Sequence, residues 1–247
     1  MIRALLMSSS RKDDLGYLEH AADQLALVLG AQEGRPTPTR AVLIPYAAVS
    51  TSFDAYESLA APAFAAHGVE LTSIHRLDDP IEAVREAQVI AVAGGNTFAL
   101  LHRLAAAGLL DEIRRRVTSG DAAYVGWSAG TNVATPSIRT TNDMPIVEPP
   151  SFAALGLVPF QMNPHFIPGK PAGHNGESRE ERLGEFLALN PAEEVLALRE
   201  GCALWVTGDH ARILGDREGL VFRHGAEARA LPVDESFRLD EIRGAVR

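Results

Sequence analysis

The chain has 247 residues and a mass of 26.5 kDa, which suits one large α/β domain or two small ones. It carries 23 basic and 32 acidic side chains, a net charge of −9, without a long basic run, and this balance argues against binding to nucleic acids or acidic membranes. Its one cysteine, Cys202, excludes an internal disulfide and a cysteine metal cluster, and no apolar run approaches the ~18 residues of a membrane span.

The chain begins with a short apolar run that turns polar too soon for a signal peptide, so we expect a cytoplasmic protein. From there, apolar runs alternate with segments of helical spacing. The predicted strands are Ile2–Met7, Ala41–Ile44, Val69–Ile74, Gln88–Ala93 and Ala122–Val125. The predicted helices are Tyr17–Leu29, Phe53–Ala66, Pro80–Ala87, Phe98–Ala107 and Asp111–Thr118. This alternation, with continuous apolar strands, predicts an α/β fold whose mostly parallel sheet is buried on both faces.

The pattern loosens in the second half of the chain. Pro136–Pro159 contains five prolines, which indicates a long functional loop or a small excursion from the sheet. Val158–Met162 is a predicted strand and Arg179–Leu189 a predicted helix. The tail holds short apolar runs separated by Gly and Asp turns, a pattern that predicts an antiparallel meander at the sheet edge. These runs are Val195–Leu198, Ala203–Thr207, Ala211–Leu214 and Gly219–Arg223. No linker divides the chain, so we expect a single domain over residues 1–247.

A pentapeptide with the sequence G-W-S-A-G, Gly126–Gly130, follows one of the predicted strands. A strand, a sharp turn that carries a serine and then a helix form a nucleophile elbow, in which the glycines leave room for a strained turn. The Ser128 hydroxyl would be exposed above the sheet, beside a helix N-terminus that favours developing negative charge. The alternative is an ordinary strand-to-helix turn in which Ser128 caps the helix.

A nucleophilic serine needs a base, and the base needs an acid to orient it. Among eight histidines, His165 is favoured because it follows a predicted strand, and α/β sheets place their sites at the carboxyl ends of strands. A buried structural histidine is the other interpretation of His165, and His174 is an alternative base. Two carboxylates compete for the third role, Asp143 in the long loop and Glu200 after a predicted strand of the tail. The residues alone leave this choice open.

The turn Gly94–Asn96 ends another predicted strand and offers backbone donors for an oxyanion. We expect one donor to be the N–H of Ala129, next to the nucleophile, and the second to be a glycine amide of this turn. The turn also suits a strand-to-helix connection with Asn96 as the N-cap, and both roles can hold together. A phosphate-binding role is disfavoured because the G-x-G-x-x-G pattern and a Walker lysine are missing.

Taken in order, these segments resemble peptidase E, the alpha-aspartyl dipeptidases, a serine peptidase family on the class I glutamine amidotransferase-like fold. The likeness rests on Gly126–Asn132, Ile138–Val147 and Asn163–Phe166, with Gly94–Phe98 and Gly176–Glu180 in addition. It runs from Leu5 to the tail, where it weakens. The resemblance implies a three-layer α/β/α architecture with a small antiparallel edge near the C-terminus. It also implies hydrolysis of dipeptides that begin with aspartate.

The resemblance implies a role for each catalytic candidate. Ser128 would be the nucleophile and His165 the general base and acid. Asp143 is placed with the residues that orient the histidine, and Glu200 matches a family glutamate proposed for the same task. We name Asp143 first and keep Glu200 as its competitor.

The remaining matched positions concern the substrate and the oxyanion. Arg179 falls on the family arginine expected to bind the β-carboxylate of the substrate, which agrees with the need for a local cation in an acidic protein. Gly95 and Ala129 would form the oxyanion hole, and Asn96 is expected to bind the substrate together with Arg179. The reading implies no metal and no cofactor. Its expected partner is a small peptide with N-terminal aspartate, bound to a monomer or homodimer.

Three other functions are alternatives to an alpha-aspartyl dipeptidase. An α/β-hydrolase esterase is disfavoured because only 15 positions separate Ser128 from Asp143, too few for the strands that fold places there, and an HGGG-type motif is missing. A cyanophycinase-like peptidase of the same superfamily would share the elbow and act on a β-linked aspartyl polymer. A non-catalytic amidotransferase-like binding module is the third.

Overall fold

A computed structural model describes residues 1–30, 36–170, 173 and 175–242 of the chain. Its strands are β1 Arg3–Met7, β2 Arg40–Ile44, β3 Glu70–Ser73, β4 Val89–Val92, β5 Ala123–Trp127, β6 Gln161–Asn163, β7 Glu194–Ala197, β8 Ala203–Thr207, β9 His210–Leu214, β10 Gly219–Arg223, β11 Arg229–Leu231 and β12 Ser236–Arg238. Its helices are α1 Ala22–Leu29, α2 Phe53–Ala65, α3 Pro80–Glu86, α4 Thr97–Ala106, α5 Leu109–Ser119, α6 Ala129–Val133, α7 Arg179–Leu189 and α8 Leu239–Ile242.

The main sheet has eight strands in the order β12-β9-β8-β1-β5-β4-β2-β3. Five neighbours, β1, β5, β4, β2 and β3, run parallel to one another. The strands β8, β9 and β12 extend the sheet with antiparallel pairing. The predicted α/β fold, mostly parallel with an antiparallel edge near the C-terminus, is confirmed.

Helices cover both faces of this sheet. Successive side chains of a strand point to opposite faces, and in β1 this sends Leu6 towards one cluster of buried residues and Leu5 towards another. The cluster around Leu6 includes Leu100 of α4 and Ile113 of α5. The cluster around Leu5 includes residues of α1 and α2, among them Phe64. Since full burial of one such side chain stabilises the fold by about 1.5–3 kcal/mol, both layers are needed to hold the sheet.

A second, smaller sheet has the order β11-β10-β7-β6. Its strands β6 and β7 are parallel, whereas β7, β10 and β11 pair in antiparallel fashion. Leu183 and Leu187 of α7 pack on one face with Phe166 and Val195. On the opposite face, Leu196 belongs to the core of the main sheet. The small sheet is therefore held between α7 and the main body.

The tail strands divide between the two sheets, which differs from the expected single meander. β8 and β9 join the main sheet, but β7 and β10 belong to the small one. The reason lies outside the tail, because β7 takes β6 as its parallel partner. The spacing of apolar residues within the tail does not indicate this long-range pairing.

The segment between α6 and β6 contains the proline-rich stretch, and the structure describes all of it. It has no helix or strand beyond an isolated bridge between Ser137 and Ala153, so the loop prediction is confirmed. Among the described residues, no helix has the length and apolar character needed to cross a membrane.

Candidate active site

Ser128 lies between β5 and α6 in a backbone conformation that few residues adopt, with φ 54° and ψ −110°. Strain of this kind persists only where the surroundings impose it. The Ser128 N–H donates to the Met7 carbonyl at 3.0 Å, and the Ser128 carbonyl accepts from the N–H groups of Thr131 and Asn132 at 2.9 and 3.0 Å. Its hydroxyl makes no capping bond to α6. The turn is thus held by backbone bonds, and the hydroxyl is left to other partners.

The two glycines of the pentapeptide have no room for a side chain. A Cβ atom on Gly126 would lie 2.7 Å from the Gly130 carbonyl oxygen. On Gly130 it would lie 2.1 Å from the carbonyl oxygen of Val92 in β4. Real Cβ atoms do not approach backbone so closely, so the sharp turn from β5 into α6 requires glycine on both sides of the serine.

His165 joins the serine to a carboxylate. Its Nε2 lies 2.9 Å from Ser128 Oγ, and its Nδ1 lies 2.8 Å from Glu200 Oε1. Because a carboxylate only accepts hydrogen bonds, Nδ1 carries the proton and Nε2 accepts from the serine hydroxyl. This is the arrangement that a nucleophile, a base and an orienting acid require. The imidazole and the carboxylate are 36% and 57% exposed, so water reaches this side of the site.

The small sheet brings His165 and Glu200 together. The two residues follow β6 and β7, which are parallel neighbours, so both leave the sheet at the same edge. The ladder continues past the strands, with the Leu198 N–H on the Asn163 carbonyl and the Phe166 N–H on the Leu198 carbonyl, each at 3.0 Å. The separation of the histidine and the glutamate is therefore set by sheet pairing rather than by a flexible loop.

The loop after β1 attaches this edge to the main sheet. Ser8 Oγ donates to the Leu198 carbonyl at 2.9 Å and accepts from the His165 N–H at 2.8 Å. Ser9 Oγ accepts from the Gly201 N–H at 3.0 Å. Since β1 lies beside the strand of the nucleophile, these bonds fix the two halves of the site relative to one another. The sequence interpretation missed both serines, whose signal was their position directly after a buried strand.

Asp143, named first among the candidate acids, does not contact His165. Its Oδ2 accepts from the Thr97 N–H at 2.7 Å, from the Thr97 hydroxyl at 2.5 Å and from the Thr141 hydroxyl at 3.2 Å. Thr97 is the first residue of α4, where an acidic side chain satisfies free N–H groups and complements the helix dipole. The structure thus places Glu200 against the imidazole and Asp143 at the start of a helix.

The expected oxyanion donors lie next to the serine. A Cβ atom on Gly94 would be 3.0 Å from Ser128 Cβ, which puts the Gly94–Gly95 turn against the nucleophile. Gly95 has a φ of +133°, and a Cβ there would lie 2.4 Å from the Ala47 carbonyl oxygen. Within the described part of the chain, the N–H groups of Gly95 and Ala129 have no acceptor. Both amides are therefore open to an atom bound beside Ser128.

Both the oxygen and the nitrogen of the Asn96 side-chain amide form a hydrogen bond within the protein. Its Oδ1 accepts from the Ala99 N–H at 3.0 Å as the N-cap of α4, and its Nδ2 donates to the Met144 carbonyl at 2.9 Å. The helix-cap interpretation of this residue is confirmed. The same side chain also anchors the proline-rich loop to the turn beside the serine.

Arg179 begins α7 and lines a cavity of about 200 Å³. Its helix starts in a capping box, in which Ser178 and Glu181 exchange side-chain and backbone bonds, so the first turn is well defined. Burial lowers the pKa of the Arg179 guanidinium, the neighbouring Arg182 lowers it further, and Asp143 opposes both. An arginine remains charged despite such shifts, so the cavity has a half-buried cation at its wall.

Asn142 connects this cation to the histidine. Its Oδ1 accepts from Arg179 Nη1 at 2.6 Å and from Asn163 Nδ2 at 3.0 Å. Its Nδ2 donates to the Pro164 carbonyl at 2.9 Å, one residue before His165. The sequence interpretation gave Asn142 no role of its own and included it only in the matched segment Ile138–Val147. Its bonds show that the proline-rich loop orients both the arginine and the segment that carries the base.

His174, the alternative base, lies outside the described residues. Among the residues that the structure does describe, no group of three or more His, Cys, Asp or Glu side chains could hold a metal ion.

Known proteins match this chain along most of its length. The model of Peptidase family S51 matches residues 4–214. A protein named peptidase E from Pasteurella multocida (strain Pm70) is 48% identical over 237 residues, which is 96% of this chain and 99% of the relative. Another of that name from Shewanella denitrificans (strain OS217 / ATCC BAA-1090 / DSM 15013) is 48% identical over 226 residues, 92% of this chain and 93% of the relative. The crystal structure of a peptidase from an acI-B1 Actinobacterium has the same fold, with a TM-score of 0.68 at 22% identity over 96% of this chain and 97% of that one.

Proposed function

This chain belongs to peptidase family S51 and is a serine peptidase, and from that premise we propose that it hydrolyses dipeptides with an N-terminal aspartate. The observation that carries the proposal is the hydrogen-bonded series Ser128–His165–Glu200. The proposed selectivity for aspartate rests on Arg179, which lines a cavity together with Asn142. The peptidase E name of the relatives supports the same assignment.

In the proposed reaction, His165 Nε2 takes the Ser128 proton as Oγ attacks the carbonyl carbon of the Asp–X bond. The N–H groups of Gly95 and Ala129 donate to the carbonyl oxygen as it gains negative charge. His165 then gives its proton to the departing amino group, which leaves an acyl-enzyme. Water hydrolyses this ester with His165 acting again as base and then as acid.

We assign the orienting acid to Glu200 rather than Asp143. The support is the 2.8 Å contact between Glu200 Oε1 and His165 Nδ1, set against three bonds that hold Asp143 to Thr97 and Thr141. A carboxylate on Nδ1 keeps the imidazole in the tautomer that can accept from the serine and stabilises the imidazolium that forms.

We assign recognition of the aspartate side chain to Arg179. A guanidinium offers two parallel N–H donors to a carboxylate, and such charge-assisted pairs contribute about 1.5–3 kcal/mol. Partial burial strengthens the attraction by lowering the local dielectric. The bond to Asn142 holds one donor and so limits the directions in which the planar group can turn.

The central experiment removes the nucleophile. Ser128→Ala should abolish Asp-Leu hydrolysis while the circular dichroism spectrum and Tm stay those of the parent protein. Hydrolysis that persists in this variant would contradict the proposed mechanism.

The substrate assignment is tested with Asp-Leu, Glu-Leu, Ala-Leu and β-Asp-Leu. The proposal expects the largest kcat/KM for Asp-Leu. A preference for β-Asp-Leu would instead favour the cyanophycinase-like reading. The cytoplasmic location, the single domain and the monomer or homodimer state are parts of the same proposal, and sedimentation analysis of the purified protein measures the last of these.

A further inference from the structure

Three aromatic side chains form a hydrogen-bonded series behind the nucleophile. Trp127, the residue before Ser128, places its Nε1 2.8 Å from the Tyr17 hydroxyl. The hydroxyls of Tyr17 and Tyr56 are 2.8 Å apart. Tyr56 Oη lies 2.7 Å from the Gly94 carbonyl oxygen. The series therefore begins next to the nucleophile and ends at the turn that carries the Gly95 amide.

The direction of every bond in this series follows from its two ends. An indole N–H can only donate and a peptide carbonyl can only accept. Trp127 therefore donates to Tyr17, Tyr17 donates to Tyr56, and Tyr56 donates to Gly94. Neither hydroxyl can reverse without breaking a bond at one end, so the Tyr56 proton always points at the Gly94 oxygen.

Packing and burial make this series rigid. The Tyr17 ring meets the Tyr56 ring at 90° and the Trp127 ring at 81°, with centroid distances of 5.9 and 6.3 Å, the edge-to-face geometry that aromatic pairs prefer. Burial raises the pKa of Tyr17 and of Tyr56. Both hydroxyls thus keep their protons throughout the pH range in which a histidine base works.

The carbonyl of Gly94 and the N–H of Gly95 belong to one peptide group. A peptide group is planar, and in the trans form found here its C=O and N–H point in opposite directions. Holding the carbonyl towards Tyr56 therefore also sets the direction of the Gly95 N–H. The next peptide group, Gly95–Asn96, is held as well, because the Asn96 N–H donates to the Ala47 carbonyl at 2.9 Å.

The geometry points to Tyr56 as a positioning residue that aims the Gly95 amide at the oxyanion, with Tyr17 holding Tyr56 in place. This inference rests on the proposed role of Gly95 in the reaction. Tyr56 itself contacts neither substrate nor nucleophile, and it acts only through the peptide group. Loss of the Tyr56 hydroxyl should slow the step in which the substrate carbonyl oxygen becomes charged. It should leave the binding of the substrate, whose carbonyl is still uncharged, almost unchanged.

The test is Tyr56→Phe, which removes one hydroxyl and keeps the ring. Loss of an oxyanion donor lowers kcat by about 10²–10³-fold, and a misaimed donor should lower it by less, on the order of 10-fold. We expect this decrease in kcat for Asp-Leu with KM within about twofold of the parent value. Tyr46→Phe is the matched control, because the Tyr46 hydroxyl has no hydrogen bond within the described part of the chain and interacts only with the charge of Arg103. Its kcat should equal that of the parent.

Tyr17→Phe provides a second variant one step further from Gly94. It leaves the bond from Tyr56 to Gly94 but removes both the donor to Tyr56 and the acceptor of the Trp127 N–H, and its kcat should fall between those of Tyr56→Phe and Tyr46→Phe. If Tyr56→Phe does not fold, a decrease in kcat for Tyr17→Phe beyond the Tyr46→Phe control carries the test.

The outcomes separate this inference from the proposed function. Parent kcat in Tyr56→Phe, or a rise in KM alone, overturns the positioning role while an inactive Ser128→Ala leaves the proposed reaction intact. Activity in Ser128→Ala overturns the proposed reaction itself.

Discussion

The two halves of the active site are built in different ways. The main sheet provides Ser128 and the Gly94–Gly95 turn, where hydrogen bonds from the backbone or from a partly buried tyrosine hold the backbone and added atoms find no space. The small sheet and α7 provide His165, Glu200 and Arg179, whose side chains are partly or largely exposed. In the proposed reaction, the first half fixes the reacting atoms through backbone geometry, and the second acts through charge and proton transfer. We therefore expect substitutions that add atoms to the glycines of the first half to affect folding, and substitutions in the second half to affect turnover and selectivity.

A pair of glycine variants gives the largest contrast between the halves. Gly130→Ala places a Cβ atom 2.1 Å from the Val92 carbonyl oxygen, and we expect a loss of about 3 kcal/mol or more in the free energy of unfolding. Gly184→Ala lies in α7 with no atom within 4 Å of the added Cβ. It should gain about 0.5–1 kcal/mol because alanine is the better helix former. Urea unfolding measures both, and similar stabilities for the two variants would remove the distinction between the halves.

The second prediction concerns the exposed acid. Glu200→Gln keeps the shape of the side chain but removes the charge to which we assign the orientation and stabilisation of the His165 imidazole. Loss of the equivalent charge in a buried triad lowers kcat about 10⁴-fold. Because Glu200 is 57% exposed, we expect a smaller decrease, on the order of 10²-fold, with little change in stability.

Asp143→Asn is the matched variant for that experiment. Asp143 satisfies the Thr97 N–H and hydroxyl, so its substitution should lower the free energy of unfolding by about 1 kcal/mol and reduce kcat less than Glu200→Gln does. A lower kcat for Asp143→Asn than for Glu200→Gln would indicate that Asp143, rather than Glu200, orients His165.

The third prediction concerns selectivity. Arg179→Met keeps the apolar stem but removes the guanidinium that we assign to the substrate carboxylate. The ratio of kcat/KM for Asp-Leu to that for Ala-Leu should fall by about 10-fold or more. Ala-Leu hydrolysis by the same variant is the internal control. An unchanged ratio would show that Arg179 does not recognise the substrate carboxylate.

The smallest predicted effect is the pH dependence of stability that His20 causes. Burial lowers the pKa of His20, and the nearby charge of Lys12 lowers it further. As the pH falls through the ordinary histidine pKa of about 6.5, the unfolded chain binds a proton that the folded chain resists, so the folded state loses stability below that pH. His20→Gln should lose less stability than the parent between pH 7.5 and 5.5, measured by urea midpoints. His224→Gln, an exposed position in the tail, controls for removal of a histidine, and an equal loss in all three proteins would contradict the assignment.

Local sequence signals were sufficient for much of the fold. The predicted helix Arg179–Leu189 has the bounds of α7. It begins at Arg179 because Ser178 and Glu181 form a capping box, which the sequence pattern S-x-x-E indicates. The strand before Ser128 and the glycines around it also follow from short-range sterics. In both cases the residues that determine the structure are within a few positions of one another.

Other features could not be read locally. The tail strand β7 leaves the expected meander because it pairs with β6. Asp143 and Glu200 both occupy plausible positions for an acid, and neither sequence neighbourhood shows which one meets the imidazole. The series from Trp127 through Tyr17 to Tyr56 joins residues 110 and 39 positions apart, and no periodicity in the chain indicates it.

By itself, the sequence determined the strand–helix alternation, the nucleophile turn at Ser128 and the placement of a histidine and two carboxylates after strands or in loops. These are consequences of steric fit and spacing within short segments. Only the tertiary structure decided that Glu200 meets His165 and that Asp143 caps a helix. That choice depends on the parallel pairing of β6 with β7, which brings residues 35 positions apart to one edge, and such pairing is determined by the packing of the whole core.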